Sequence, residues 1–475
     1  MIRLRDPRTG ACDGEVAPTA PGAIAATAAR LRANQAAWRD AGVDARARAL
    51  ARFRDQIAAH GDAIAAALER DTGRRAIARQ EVAGVIGALN GWIAQAPGLI
   101  ASAWTPGRAM PHIKHRPDFS PFPLVGVISP WNFPLTLSMI DTIPALLAGC
   151  AAMLKPSEVT PRFLAPLRAA IAETPAVGAV FEAIVGDGSA GAALIDCVDA
   201  VCFTGSVATG RKVAAHCAQR MIPAFLELGG KDPLIILDDA DLDDAVTAAL
   251  RGSVLSTGQA CQSIERIYVA RPLYDDFVAR LTQAAAACRL NWPDIGAGEI
   301  GPIIFDKQAA ILESQLADAV AKGARILTGG AVEHHGGGLW LRPTVVVDVD
   351  HTMTLMTEET FGPIMPVMAF DTVDQAVALA NDSVYGLSAA VFAGTLERAE
   401  SIALQVNAGA VSLNDAALTA LFYEAEKHAF GLSGLGGSRM GAAGFHRFLR
   451  RKALIANTGK PAPLSAFAED AASRG

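Results

Sequence analysis

Between residues 23 and 71, Ala, Leu and Ile recur at helical spacing while Arg, Asp and Glu fill the intervening positions. That pattern predicts two or three amphipathic helices, each laying one apolar stripe on a core. From residue 121 the pattern changes. Short apolar runs at 124–128, 151–155, 181–185, 200–204 and 224–228 alternate with helical stretches. The alternation predicts a parallel sheet covered by helices on both faces. A second set begins near residue 231, with strand-like runs at 267–269, 345–347 and 390–392 and helical stretches at 275–288 and 308–321. The fold class expected is therefore α/β with two doubly wound domains. Residues 101–120, rich in Pro, Arg and His, and the tail from residue 448 share neither periodicity.

Length agrees with this division, because 475 residues exceed what one ordinary core accommodates. With 51% hydrophobic and 19% charged residues the chain is compact rather than disordered. A net charge of -6 without long like-charge blocks leaves no electrostatic footprint for nucleic acid or an anionic membrane. Small-molecule partners are favoured. The seven cysteines form no Cys-x-x-Cys pair and no Cys/His cluster at metal spacing, so a reducing compartment and no metal site are expected. Met1-Ile2-Arg3-Leu4-Arg5-Asp6 lacks the apolar core of a signal peptide, which points to a cytoplasmic location. The most apolar stretch, 121–154, is interrupted by Pro130, Pro134, Asp141 and Pro144 and reads as buried core, not as a membrane span.

Two short runs carry the chemistry. Cys261 lies in Gly258-Gln259-Ala260-Cys261-Gln262-Ser263, and Glu227 lies 34 residues upstream in Leu226-Glu227-Leu228-Gly229-Gly230-Lys231. A thiol that attacks a carbonyl, with a carboxylate to activate water against the resulting thioester, oxidises an aldehyde to an acid once something accepts the hydride. Isolated cysteines are usually small buried hydrophobes, and the other six are assigned that role. Gly186-Asp187-Gly188-Ser189-Ala190-Gly191 matches the dinucleotide fingerprint, but the next strand ends in Cys202-Phe203-Thr204-Gly205-Ser206 without the acid that would hold a ribose. The loop is read as a turn, and Gly188 alone stays among the cofactor candidates.

These runs, with Pro130-Trp131-Asn132-Phe133-Pro134, Lys155-Pro156-Ser157-Glu158, Phe203-Thr204-Gly205-Ser206 followed by Gly210, and Glu358-Glu359-Thr360-Phe361-Gly362-Pro363, resemble in order the motifs of the NAD(P)-dependent aldehyde dehydrogenase superfamily. The resemblance spans nearly the whole chain. It implies a Rossmann-like cofactor domain from 1–100 and 121–229, a catalytic domain from 230–430, and an oligomerisation arm and C-terminal tail from 101–120 and 440–475. It implies Cys261 as nucleophile, Glu227 as general base, and Asn132 with the Cys261 N–H as oxyanion hole. For NAD, with NADP possible, it implies Ser129, Trp131, Lys155, Ser157, Glu158, Gly188, Thr204, Gly205, Ser206, Leu228, Gly229, Glu359 and Phe361. Gly205 and Ser206 open a helix, where backbone N–H groups attract phosphate.

For the substrate, the resemblance points to the face shared by Phe133, Thr136, Leu137 and Ile140 on a helix, to Ala260 and Gln262 beside the nucleophile, and to Asn414 near the mouth. No Arg or Lys stands among them, so an apolar aromatic or medium-chain aliphatic aldehyde is expected. The stretch His428-Ala429-Phe430-Gly431-Leu432-Ser433-Gly434 departs from the family's Pro-Phe-Gly-Gly pattern, which bears on substrate identity. A homodimer or homotetramer is implied. Retention of Glu227 argues against a relative that resolves its thioester with CoA, and the joint presence of Cys261, Glu227 and Asn132 argues against a silent dinucleotide-binding one.

Overall fold

A computed structural model describes residues 1–469 of the chain. The predicted apolar runs become the middle of the first sheet, with strands in the order Ala224–Glu227, Ala200–Thr204, Leu124–Ile128, Ala151–Lys155 and Phe181–Ala183, all parallel. Leu124–Ile128, Ala151–Lys155 and Ala200–Thr204 are buried along their whole length, as two-sided helical cover requires. Chain order reverses between Leu124–Ile128 and Ala200–Thr204. A crevice therefore opens at their carboxyl ends, beside Ser129 and Thr204.

Three helices, Pro21–Asp40, Val43–Ala59 and Gly61–Thr72, occupy the predicted amphipathic stretch. Gly42 at φ 82° and Gly73 at φ 66° mark breaks that an L side chain resists. A fourth helix, Arg75–Leu99, was not anticipated, because Gly84, Gly87, Gly91 and Pro97 dilute its pattern.

The second sheet has seven strands, in the order Arg325–Thr328, Thr344–Val347, Ile364–Phe370, Ile264–Ala270, Asp232–Ile236, Ala389–Phe392 and Val411–Leu413, antiparallel only at the first pair. A three-stranded sheet stands apart, pairing Leu449–Asn457 with Ile113–Pro121 and that strand with Thr105–Pro106. The tail expected from residue 440 divides. Gly434–Leu435 pairs with Ala224–Glu227 at the edge of the first sheet, and Phe445 and Phe448 are fully buried in that sheet's core. Only Leu449–Asn457 joins the separate sheet, since the two aromatic rings bury more apolar surface against the first core. Residues 470–475 of the expected tail lie outside the described residues. Among the described residues no helix is long and apolar enough to cross a membrane.

One buried carboxylate ties the segments that bear the motifs. Glu265, on the strand after Cys261, accepts from Lys231 Nζ at 2.9 Å, from the Thr360 amide at 2.8 Å and from the Phe361 amide at 2.7 Å. Lys231 also donates to Thr360 Oγ1 at 2.7 Å. Both charged side chains are excluded from water, at 0% and 3% exposure, and burial pulls the lysine below its ordinary pKa. Removing one member strands the other. Glu265→Gln is therefore expected to cost about 3–5 kcal/mol and to lower the thermal midpoint, with Lys231→Met added on top recovering part of the loss. A single variant that melts with the wild type would show that the pair carries no stability.

Candidate active site

The crevice at the reversal point opens into a cavity of about 750 Å³. All thirteen residues expected to hold the cofactor line it, from Ser129 and Trp131 through Lys155, Ser157 and Glu158, Gly188, Thr204, Gly205 and Ser206, Leu228 and Gly229, to Glu359 and Phe361. Gly188 belongs to the wall although its loop is a helix cap, with the Asp187 carboxylate accepting from the Ser189 amide at 2.9 Å. Ser206 caps the helix Val207–Gln219, whose N-terminus faces the cavity with its partial positive charge. A Cβ on Gly210 would run into Leu228, so glycine lets this helix sit close to the sheet.

Lys155 Nζ meets Glu158 at 3.1 Å, with Lys155 buried and Glu158 partly open. Trp131 packs between Phe305 and Phe361, with ring centroids 5.9 and 5.4 Å away. Glu359 is pushed up to about 8, chiefly by burial and then by the nearby Glu265 carboxylate, and accepts the Gly230 amide at 3.3 Å. The residues present fit a dinucleotide in three ways: the cavity has the size of a cofactor site, a helix N-terminus faces it, and an aromatic wall lies beside the nucleophile. Phe305, Gln308, Lys212 and His216 also line it. No sequence signal marks these four, because they lie outside the motifs and the fold brings them in from separate segments.

A second, narrower cavity of about 130 Å³ lies beyond. Phe133, Thr136, Leu137, Ile140, Ala260 and Gln262 line it as expected, joined by Leu255, Ala416, Tyr423 and Met440, which pattern reading missed. Gln262 accepts from Thr419. The helix Pro134–Ala148 that presents the first four begins under the Glu81 carboxylate, which accepts the Leu135 and Thr136 amides at 3.0 and 2.9 Å. Burial pushes Glu81 up to about 7.

Asn132, Leu137, Glu227 and Cys261 belong to the walls of both cavities. The Asn132 carbonyl accepts from Arg74, and its side-chain amide donates to the Gln259 carbonyl at 3.0 Å, while Oδ1 has no partner. Ahead of Cys261, three successive residues are left-handed, Ser256, Thr257 and Gly258 at φ 62°, 60° and 66°. Side-chain bonds hold this turn, with Thr257 Oγ1 donating to the Gly301 carbonyl at 3.1 Å and Gln259 Oε1 accepting the Ile304 amide at 2.9 Å. A Cβ on Gly258 would strike the backbone of Gly362 and Pro363, so the Cys261 loop lies directly on the Phe361 loop. Cys261 is recessed but partly accessible. Burial pushes its thiol up to about 12, which Lys427 opposes and Glu359, Glu227 and Asp232 reinforce.

Two expectations are corrected. Asn414 is exposed and lines neither cavity; at φ 50° it makes a turn, its Oδ1 accepting the Ala393 amide at 2.9 Å. The substrate cavity does contain cations, Arg251 and Arg439, contributed by elements remote from the helix face that was read. Both are engaged, Arg251 with Asp415 and the Ala416 carbonyl, and Arg439 with Asp141 at 3.0 Å and Thr204 at 2.6 Å. Lys231 is taken by Glu265. Glu227 faces Arg439 instead, 4.0 Å from Nε.

Comparison with known proteins agrees with this geometry. The model of the aldehyde dehydrogenase family matches residues 1–454. A structure of an aldehyde dehydrogenase provisionally named PutA, from Anabaena variabilis, superposes with a TM-score of 0.95 at 51% identity, covering 97% of this chain and 98% of that one. Lactaldehyde dehydrogenase from Escherichia coli superposes with a TM-score of 0.89 at 31% identity, covering 96% and 95%. A Mycolicibacterium smegmatis protein provisionally named succinate-semialdehyde dehydrogenase [NADP(+)] is 36% identical over 394 residues, 82% of this chain and 76% of its own length. The chain belongs to the aldehyde dehydrogenase family and is an NAD(P)-dependent enzyme that oxidises an aldehyde to the acid.

Proposed function

We propose that Cys261, Glu227 and Asn132 carry this reaction through a thioester that water hydrolyses. The observation that carries the reading is the shared wall, where these side chains separate a large cleft from a narrow cavity, so that an aldehyde and a dinucleotide can meet only there. The Cys261 sulfur adds to the aldehyde carbon, and the thiol proton must leave as it does so. The Asn132 side-chain amide, on a residue whose main-chain carbonyl is held by Arg74, is assigned to the developing oxyanion together with the Cys261 N–H, turning to it from the Gln259 carbonyl. A bound nicotinamide supplies the acceptor for the hydride expelled when the thiohemiacetal collapses. Glu227 then takes a proton from water, whose oxygen attacks the thioester and releases Cys261.

Lys155 and Glu158, paired at one end of the cleft, are assigned to the adenosine ribose. A carboxylate there accepts from free hydroxyls and repels a 2′-phosphate, which favours NAD. The substrate proposed is apolar, an aromatic or medium-chain aliphatic aldehyde. A cavity of about 130 Å³ resembles in size the roughly 150 Å³ apolar cavity that admits benzene, and the hydrogen bonds of its two cations are already committed inside the protein, Arg251 to Asp415 and Arg439 to Asp141 and Thr204. The second reading is an acidic semialdehyde, supported by the name of the Mycolicibacterium relative and by Arg251, whose side chain is 40% exposed at the mouth. The sheet of Leu449–Asn457, Ile113–Pro121 and Thr105–Pro106 is assigned to subunit contact in a homodimer or homotetramer.

Cys261→Ala should abolish turnover while nucleotide binding persists. Glu227→Gln should give a burst of NADH near the wild-type rate followed by a steady state slower by roughly 10²-fold or more. Activity above a few per cent in a folded Cys261→Ala protein would remove the covalent route, and a missing burst would move Glu227 to the thiol-activation step.

A panel of benzaldehyde, hexanal and succinic semialdehyde, each with NAD and NADP, should return the highest kcat/KM for an uncharged aldehyde with NAD. Succinic semialdehyde in first place would establish the second reading, and a clear preference for NADP would remove Glu158 from its assigned role.

A further inference from the structure

Behind Glu227 lies a buried cluster whose charges do not balance among themselves. Asp141 accepts from Arg439 through one carboxylate oxygen and from Arg447 through the other, and all three side chains are at most 6% exposed. One carboxylate thus faces two guanidinium groups, and one positive charge is left over in a region that disfavours unpaired ions. Arg447 is held in place between the rings of Phe225 and Phe448, 5.1 and 5.0 Å from its guanidinium. Arg439 is the member that reaches the reaction site. Its second bond goes to Thr204 Oγ1 at 2.6 Å, and Thr204 stands in register beside Glu227 on the adjacent strand. Its Nε has no hydrogen-bond partner and points to Glu227 Oε1 at 4.0 Å.

We propose that Arg439 is the positioning residue of Glu227, with the uncompensated charge of the Asp141–Arg439–Arg447 cluster holding the Glu227 carboxylate toward the acyl-enzyme. The inference rests on the reading of Glu227 as the base that hydrolyses the thioester. In that step one proton of water passes to Glu227, the water oxygen bonds to the acyl carbon, and the C–S bond to Cys261 breaks. The carboxylate must be held, charged, beside the sulfur without bonding to the cation so tightly that it cannot take the proton. A separation of 4.0 Å, longer than a hydrogen bond, keeps the attraction and leaves the oxygen free. Asp141 and Thr204 supply the anchors that stop Arg439 from closing the gap. The charge is therefore spent on orienting the base rather than on binding substrate.

The test is the full-length enzyme with Arg439→Gln, which retains an amide for Asp141 and Thr204 but carries no charge, and with Arg439→Lys, which retains the charge. Rapid mixing with benzaldehyde and NAD should give Arg439→Gln a burst at the wild-type rate and a steady state about tenfold slower, inside the range a general base contributes. Arg439→Lys should recover most of the loss, and hydroxylamine, which takes up the acyl group directly, should restore turnover in the glutamine variant. If Arg439→Gln does not fold, Arg447→Met, which leaves Asp141 to Arg439 alone and so removes the surplus charge, should show the same split between burst and steady state in smaller measure. Burst and steady state falling together, or a rise in KM confined to succinic semialdehyde, would overturn the proposal, the latter by making Arg439 a substrate-carboxylate site. A Glu227→Gln enzyme without a burst would instead overturn the underlying role of Glu227. A burst there with none in Arg439→Gln would overturn only the inference about Arg439.

Discussion

The site depends on a carboxylate that never meets substrate. Glu265 holds Lys231, four residues after Glu227, and the amides of Thr360 and Phe361, next to Glu359, while lying four residues beyond Cys261 itself. Three segments far apart in the chain are thereby fixed to one pair of oxygens. A charge buried this deeply tolerates little displacement of its donors, because each lost bond exposes part of the full desolvation cost. The spacing between nucleophile, base and the aromatic wall at Phe361 is thus set by an ion pair and two amides rather than by the chemistry at the site. The contact of Gly258 against Gly362 and Pro363 continues the same joint through packing.

The electrostatics around Cys261 follow from this enclosure. Burial pushes the thiol up to about 12 and lifts Glu359 to about 8, so these two groups rest mainly protonated near neutral pH. Burial that favours the protonated thiol also leaves less thiolate for oxidation or alkylation, since the thiolate is the reactive form. Positive charge arrives from two directions, Lys427 toward Cys261 and Arg439 toward Glu227. Neither belongs to a motif.

What the sequence made legible and what it hid divide along physical lines. Runs such as Leu124–Ile128 and Ala200–Thr204 are apolar because both faces of their sheet are covered, and a run of that kind announces itself. Asp232–Ile236 is equally central but begins with Asp232 and Pro233, and its Asp is satisfied by Ser388, the residue just ahead of the strand Ala389–Phe392, so nothing local marks it. The thirteen residues named from motifs in order all reach the large cavity, since most of those motifs sit at strand ends, whereas Phe305, Gln308, Lys212 and His216 in the same wall belong to no motif. Asn414 failed for the opposite reason, as its short side chain serves its own turn. Arg439 and Arg251 could not be read at all, because a single arginine says nothing about a partner such as Asp141 or Asp415, whose pairing only the folded chain creates.

The two cavities differ in how they obtain selectivity. The large one is walled by strand ends, a helix N-terminus and motif residues, so its shape is tied to the sheet and resists change. The narrow one is walled on one side by the helix Pro134–Ala148 and on the other by residues 416–423, an irregular segment whose backbone is held mainly by local turns. Irregular segments accept substitution more easily than strands in a covered sheet. Cys261, Glu227 and Asn132 stand on the boundary and are fixed from the sheet side, through the Thr204 register and the Gln259 carbonyl. Leu421, Tyr423 or Thr419 can therefore change the narrow cavity without disturbing the register and the carbonyl that fix Glu227 and Asn132.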